Sequence, residues 1–138
     1  IRDMWKGKLV LKGAESVHDV EKAYQLGLDG VIVSNHGGRQ VDVGQATVDS
    51  LKTIAPLYKG KLTIMMDSGI RGGADVARVM ASGADFSFMG RTFMYGVSAL
   101  GKKGGGHTIC MLKQQLTQVM EQMSCAKIKD LQTKLIIK

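Results

Sequence analysis

The sequence predicts an α/β fold assembled from parallel β/α units, and three observations predict it. Four short apolar runs recur along the chain, each ends in a polar or glycine-rich turn, and segments of helical periodicity separate them. Runs rich in Val, Ile, Leu, Met and Phe with little polar interruption suit strands buried on both faces, as parallel strands are. The strand ends lie about 22, 33 and 23 residues apart, a length that suits short βαβ units joined by right-handed crossovers. Two architectures fit, an open doubly wound sheet and a (β/α)8 barrel. A complete barrel needs about 250 residues, so as a barrel this chain of 138 residues would supply about half of one.

Taken in order, the first run is KLVLKG (8–13). SVHDVEKAYQLG follows as a helix capped by Ser16, with Val17, Val20, Ala23 and Tyr24 on one face and a stop at Gly27. The second run, GVIVSNHGG (30–38), leads to ATVDSLKTIAPLY, where Val48, Leu51, Ile54 and Ala55 fall at helical spacing. The third, KLTIMMDSG (61–69), leads to GADVARVMASG, with Val76, Val79 and Met80 on one face and a stop at Gly83. The fourth, ADFSFMG (84–90), joins a helix through MGR at 89–91. GKKGGG (101–106) reads as a flexible loop, and a long amphipathic segment from about His107 to Met123 precedes a basic tail.

Composition narrows the function classes. With 44% hydrophobic residues the chain is expected to form one domain and to bury roughly two-thirds of its unfolded surface. Cys110 and Cys125 share no CxxC or metal-ligand spacing, which points to a reducing compartment and no metal. No apolar stretch approaches the roughly 18 residues of a membrane span, and no signal-peptide layout opens the chain. Ile1 in place of a methionine suggests a cut or partial N-terminus. The net charge of +7 is uneven, because residues 102–138 carry seven lysines against Glu121 and Asp130. That segment suits a solvated helix face or contact with acidic lipid, and it lacks the aromatic residues that stack on nucleic acid bases.

The chemistry sits where the strands end. Lys12, Ser34, His36, Arg39, Asp67, Arg71 and Arg91 all follow the C-terminal ends of the four expected strands, the edge on which α/β sites are built. DSGIRGGADV (67–76) and MGR join strands to helices through glycines, so backbone N–H groups and forked arginine donors can meet a phosphate there. The plainer alternative is that these glycines serve only turns and the arginines pair with surface carboxylates. His36, whose type titrates near pH 6.5, suits a general base, and Arg39 three residues on suits a carboxylate clamp. A merely exposed loop histidine is the alternative. Lys12 at the end of a buried strand needs a partner, such as a bound anion or electron-rich ring, unless it is a rim lysine reaching solvent.

The ordered set LVLKG, GVIVSNHGGRQ, MDSGIRGGADV and GADFSFMGRTFMYG resembles the C-terminal half of the FMN-dependent α-hydroxy-acid oxidases and dehydrogenases, from about residue 3 to about 131. Its wording, DSG where glycolate oxidases more often show DGG, is closer to the lactate dehydrogenases. The resemblance implies the last four β/α units of a (β/α)8 TIM barrel, with 1–138 forming the C-terminal part of one domain and FMN at the barrel mouth. Lys12 and Ser34 would contact the flavin. Asp67, Ser68, Gly69, Ile70 and Arg71, with Gly90 and Arg91, would hold the ribityl chain and phosphate. His36 would take a proton from an L-2-hydroxy acid, either from the hydroxyl or from the α-carbon, and Arg39 would bind the substrate carboxylate.

Three departures accompany it. Gly72 stands where relatives often have arginine or asparagine, and Thr92 replaces a common proline, a change expected to matter little. The N-terminal half, with its substrate tyrosines and the aspartate that pairs with the catalytic histidine, lies outside this chain. The isolated chain is therefore expected to be nearly inactive, and to form a homo-oligomer or a complex with the missing half. A cytoplasmic location, with peripheral contact at the inner face of the membrane, is expected. The alternative function is a non-catalytic half-barrel that binds phosphate or flavin and self-associates.

Overall fold

A computed structural model describes residues 1–41 and 43–134. Strands β1 (Val10–Ala14), β2 (Gly30–Val33), β3 (Thr63–Met66) and β4 (Phe86–Ser87) form one parallel sheet in the order β1-β2-β3-β4. Helices α1 (Val17–Gln25), α2 (Thr47–Tyr58), α3 (Gly73–Ala81) and α4 (Arg91–Leu100) follow them, and α5 (Gly104–Gln122) completes the chain with a 3-10 segment, Ile128–Lys134. The final part of the basic tail, residues 135–138, lies outside the described residues.

The helices begin and stop for local reasons. Ser16 Oγ accepts from Asp19 N at 3.1 Å and caps α1 as its sequence suggests. At the opposite edge of the sheet one device recurs. Asp29, just before β2, accepts from Leu9 N at 2.9 Å, and Asp85, just before β4, accepts from Ile64 N at 2.9 Å. Lys8 pairs with Asp29 and Lys59 with Asp85. A carboxylate ahead of β2 and another ahead of β4 thus supply a backbone N–H at the neighbouring strand with a partner, which helps to fix the pairing register at its first step.

The core lies between the helices and one face of the sheet. Val20 of α1, Val31 and Val33 of β2, Leu51 and Ile54 of α2 and Ile64 of β3 are fully buried. Each such side chain contributes about 1.5–3 kcal/mol relative to an exposed one. A second cluster, Ala77, Cys125 and Leu131 with Leu116, Val119 and Met120, fastens α5 and the C-terminal segment to α3.

Two expectations need correction. The strands are not all buried on both faces: Val10, Leu11, Phe86 and the adjoining Phe88 are exposed. The physical reason is that four strands leave β1 and β4 as edges, with helices covering one face only. GKKGGG is not a flexible loop either. Residues 101–103 form a 3-10 turn, and Gly104–Gly106 are the first turn of α5. Gly104 is there for close approach, since a Cβ on it would collide with the backbone of Gly96 in α4.

Candidate active site

Parallel strands deliver their C-terminal ends to one edge, so residues far apart in sequence meet there. Lys12 Nζ lies 2.6 Å from Asp67 Oδ2 and 2.7 Å from Ser34 Oγ. The partner sought for Lys12 is therefore a carboxylate of the chain itself, while its side chain remains partly open to solvent, as a rim lysine's would. Burial pushes the Asp67 carboxyl up, but hydrogen bonds from Lys12, Ser34 and Ser68 and the Lys12 charge outweigh it and hold the group below its ordinary value. Ser34 is fully buried. Its hydroxyl accepts from both Lys12 and, at 3.2 Å, the His36 backbone N–H.

The SNHGG turn is tightly held. His36 stands at φ 55, in the left-handed region that non-glycine residues seldom occupy, a mark of functional sites when surroundings enforce it. Asn35 Oδ1 accepts from Gly37 N at 3.0 Å and Gly38 N at 3.2 Å. Ser68 Oγ accepts from Gly37 N at 2.9 Å, and Arg91 donates to Gly37 O at 2.9 Å. The His36 ring lies over Gly13, where an added Cβ would come within 3.0 Å of Cε1 at φ 94. Sequence reasoning missed Gly13; its only signal was a glycine directly after the strand-end lysine. Among the described residues the His36 imidazole has no hydrogen bond or ion pair.

The two glycine turns differ. At the start of α3, Asp75 Oδ2 already accepts from Arg71 N at 3.0 Å and Gly72 N at 3.2 Å, and Gln115 takes Gly73 N at 2.8 Å. That carboxylate lies three residues after the helix cap, a spacing the sequence displays. The start of α4 at Gly90 has no side-chain cap among the described residues; Phe93 N and Met94 N donate to Gly90 O, which leaves the N–H groups of Arg91 and Thr92 for an anion. Thr92 matters more than expected. Its hydroxyl donates to Arg71 O at 3.2 Å and ties the two turns together, which a proline has no donor to do.

One cleft of about 700 Å³ collects these groups, within the range of small-molecule sites. It is lined by Lys12, His36, Arg39, Asp67, Ser68, Gly69, Ile70, Arg71, Gly90 and Arg91, every residue singled out above except the buried Ser34. Phe88, Met89 and Met94, which no motif marked, add an apolar wall. Cations and an open helix start near an apolar wall suit a ligand with a phosphate at one end and a planar ring at the other, and the donor set fits FMN on these grounds.

Fold and site together define a cation-lined cleft at the C-terminal edge of a parallel sheet. The chain belongs to the FMN-dependent dehydrogenase family, whose pattern matches residues 1–138. It is 43% identical over 131 residues to the L-lactate dehydrogenase of Bartonella quintana (strain Toulouse), covering 95% of this chain and 34% of that protein. Among solved structures, mandelate oxidase with benzoyl-formic acid superposes at TM-score 0.89 and 32% identity, covering 94% of this chain and 39% of that one. A soluble mutant of the membrane-associated (S)-mandelate dehydrogenase from Pseudomonas putida does so at TM-score 0.87 and 35% identity, covering 94% and 37%. The chain thus spans about a third of the length of the relatives it matches. Its four parallel β/α units correspond to half of a (β/α)8 barrel.

Proposed function

We propose that this chain is the C-terminal part of an FMN-dependent L-2-hydroxy-acid dehydrogenase or oxidase that converts L-lactate to the 2-oxo acid. The observation that carries the reading is one cleft joining a strained histidine, an arginine three residues away with no partner among the described residues, a lysine–aspartate pair and a helix start without a side-chain cap.

FMN, when bound, supplies the acceptor for the two electrons that leave the substrate. Arg39 makes no hydrogen bond or ion pair among the described residues, which leaves its fork to take the substrate carboxylate. His36 removes a proton from the substrate and becomes an imidazolium. Lys12 places a cation at the flavin end, where negative charge develops, while Asp67 and Ser34 hold its ammonium in place. Arg71, Gly90 and Arg91 with the α4 start hold the phosphate, while Asp67, Ser68, Gly69 and Ile70 border the cleft beside them.

The test is anaerobic stopped-flow absorbance of an FMN-loaded holoenzyme that joins this chain to a family N-terminal half. Bleaching of the flavin by L-lactate is expected. A flavin that stays oxidised with every 2-hydroxy acid overturns the reading.

A further inference from the structure

Ser68 stands at φ 74, a conformation in which glycine would be at ease and serine is strained. What the side chain provides there is a link. Its Oγ donates to Asp67 Oδ1 at 2.7 Å and accepts from Gly37 N at 2.9 Å. The other oxygen of Asp67 holds Lys12 at 2.6 Å. The order Lys12, Asp67, Ser68, Gly37 therefore runs from the flavin-side ammonium to the backbone of the turn that carries His36. A serine hydroxyl has one proton, and Asp67 takes it. Ser68 Oγ thus gives its one proton to Asp67 and accepts from Gly37, so both partners it already holds are groups of the chain itself. Thr47 Oγ1 adds a hydrogen bond to Ser68 O at 3.4 Å, which anchors the residue to the start of α2.

We propose that Ser68 is a positioning residue whose hydroxyl couples the Lys12–Asp67 pair to the His36 turn, so that the base and the flavin-side cation keep one fixed relation. The proposal rests on the reading of His36 as base and Lys12 as flavin contact, and adds the residue that ties them together. Ser68 does not touch substrate. Its loss acts on the proton-removing step through misplacement of His36, while Arg39 keeps the substrate carboxylate.

Two variants of the holoenzyme test this, Ser68→Gly and Ser68→Ala. The glycine variant relieves backbone strain and the alanine variant retains it, while both remove the link. The limiting rate of flavin reduction by L-lactate is expected to fall about tenfold or more in both, the scale of a small misplacement of a catalytic group. KM is expected to stay within about twofold. Hydrogen–deuterium exchange of the peptide containing Gly37 is expected to speed up in both, while the thermal midpoint of Ser68→Gly stays at or above that of the parent. A purely conformational role predicts the opposite for glycine, with parental reduction and exchange, and that result overturns the coupling alone. A parent enzyme that no 2-hydroxy acid reduces overturns the site reading and the coupling with it.

Discussion

His36 and Ser68 both occupy the left-handed backbone region, at φ 55 and φ 74, and a hydrogen bond from Gly37 N to Ser68 Oγ ties the two turns. Strain held in place by so many partners belongs to a site rather than to a casual turn. Replacing His36 with glutamine in the holoenzyme is expected to slow flavin reduction roughly 10²–10⁴-fold through loss of the base, read by stopped-flow bleaching, with FMN still bound. The Lys12–Asp67 pair makes a second prediction. Asp67 has its pKa lowered from 3.8, so its contribution to stability is complete above that value and fades as pH falls through the lower folded one. Asp67→Asn is expected to lower the urea midpoint at pH 7, and the gap from the parent to close below about pH 4. His36, Arg39 and Lys12 were legible as residue types at strand ends. That Lys12 answers to Asp67 was not, because 55 positions separate them and only the parallel register brings the ends of β1 and β3 to one edge.

At the level of elements, α1 was readable from its Ser16 cap and α1, α2 and α3 from apolar spacing, whereas the glycine-rich stretch before α5 was not. Composition signals freedom in a glycine but equally permits close contact, and at Gly104 contact with α4 is what matters. Gly73 shows the same at the crossing of α3 and α5. A Cβ there would lie 2.6 Å from Gln115 Cβ and press on the backbone of Leu116. Gly73→Ala is expected to cost about 1–3 kcal/mol by overpacking, measured by urea denaturation. It should also weaken FMN binding, because the start of α3 positions the Arg71 turn that Thr92 joins to α4.

For the whole molecule, the open face is the governing feature. Val10 of β1 and Phe86 of β4 are 40% and 56% exposed, and both edge strands present unpaired backbone groups. Among the described residues nothing pairs with the His36 ring, so on the proposed reading of His36 as base its imidazolium would lack a counter-charge. The 138-residue chain alone, mixed with FMN and L-lactate, is therefore expected to bleach at a small fraction of the holoenzyme rate. Native mass spectrometry of the same sample is expected to show association through the open edges, and a stable monomer would contradict that.

By itself the sequence determined the parallel β/α repeat, the family and the residue types available at the strand ends, since apolar period, glycine turns and motif order are local properties of the chain. Tertiary structure decided how those residues are used. It gave Lys12 to Asp67, closed the α3 start with Asp75 while leaving the α4 start open, laid His36 over Gly13 and made Ser68 a link. Each of these depends on distances of a few ångströms between separate β/α units, set by strand register and helix packing, which no local pattern encodes.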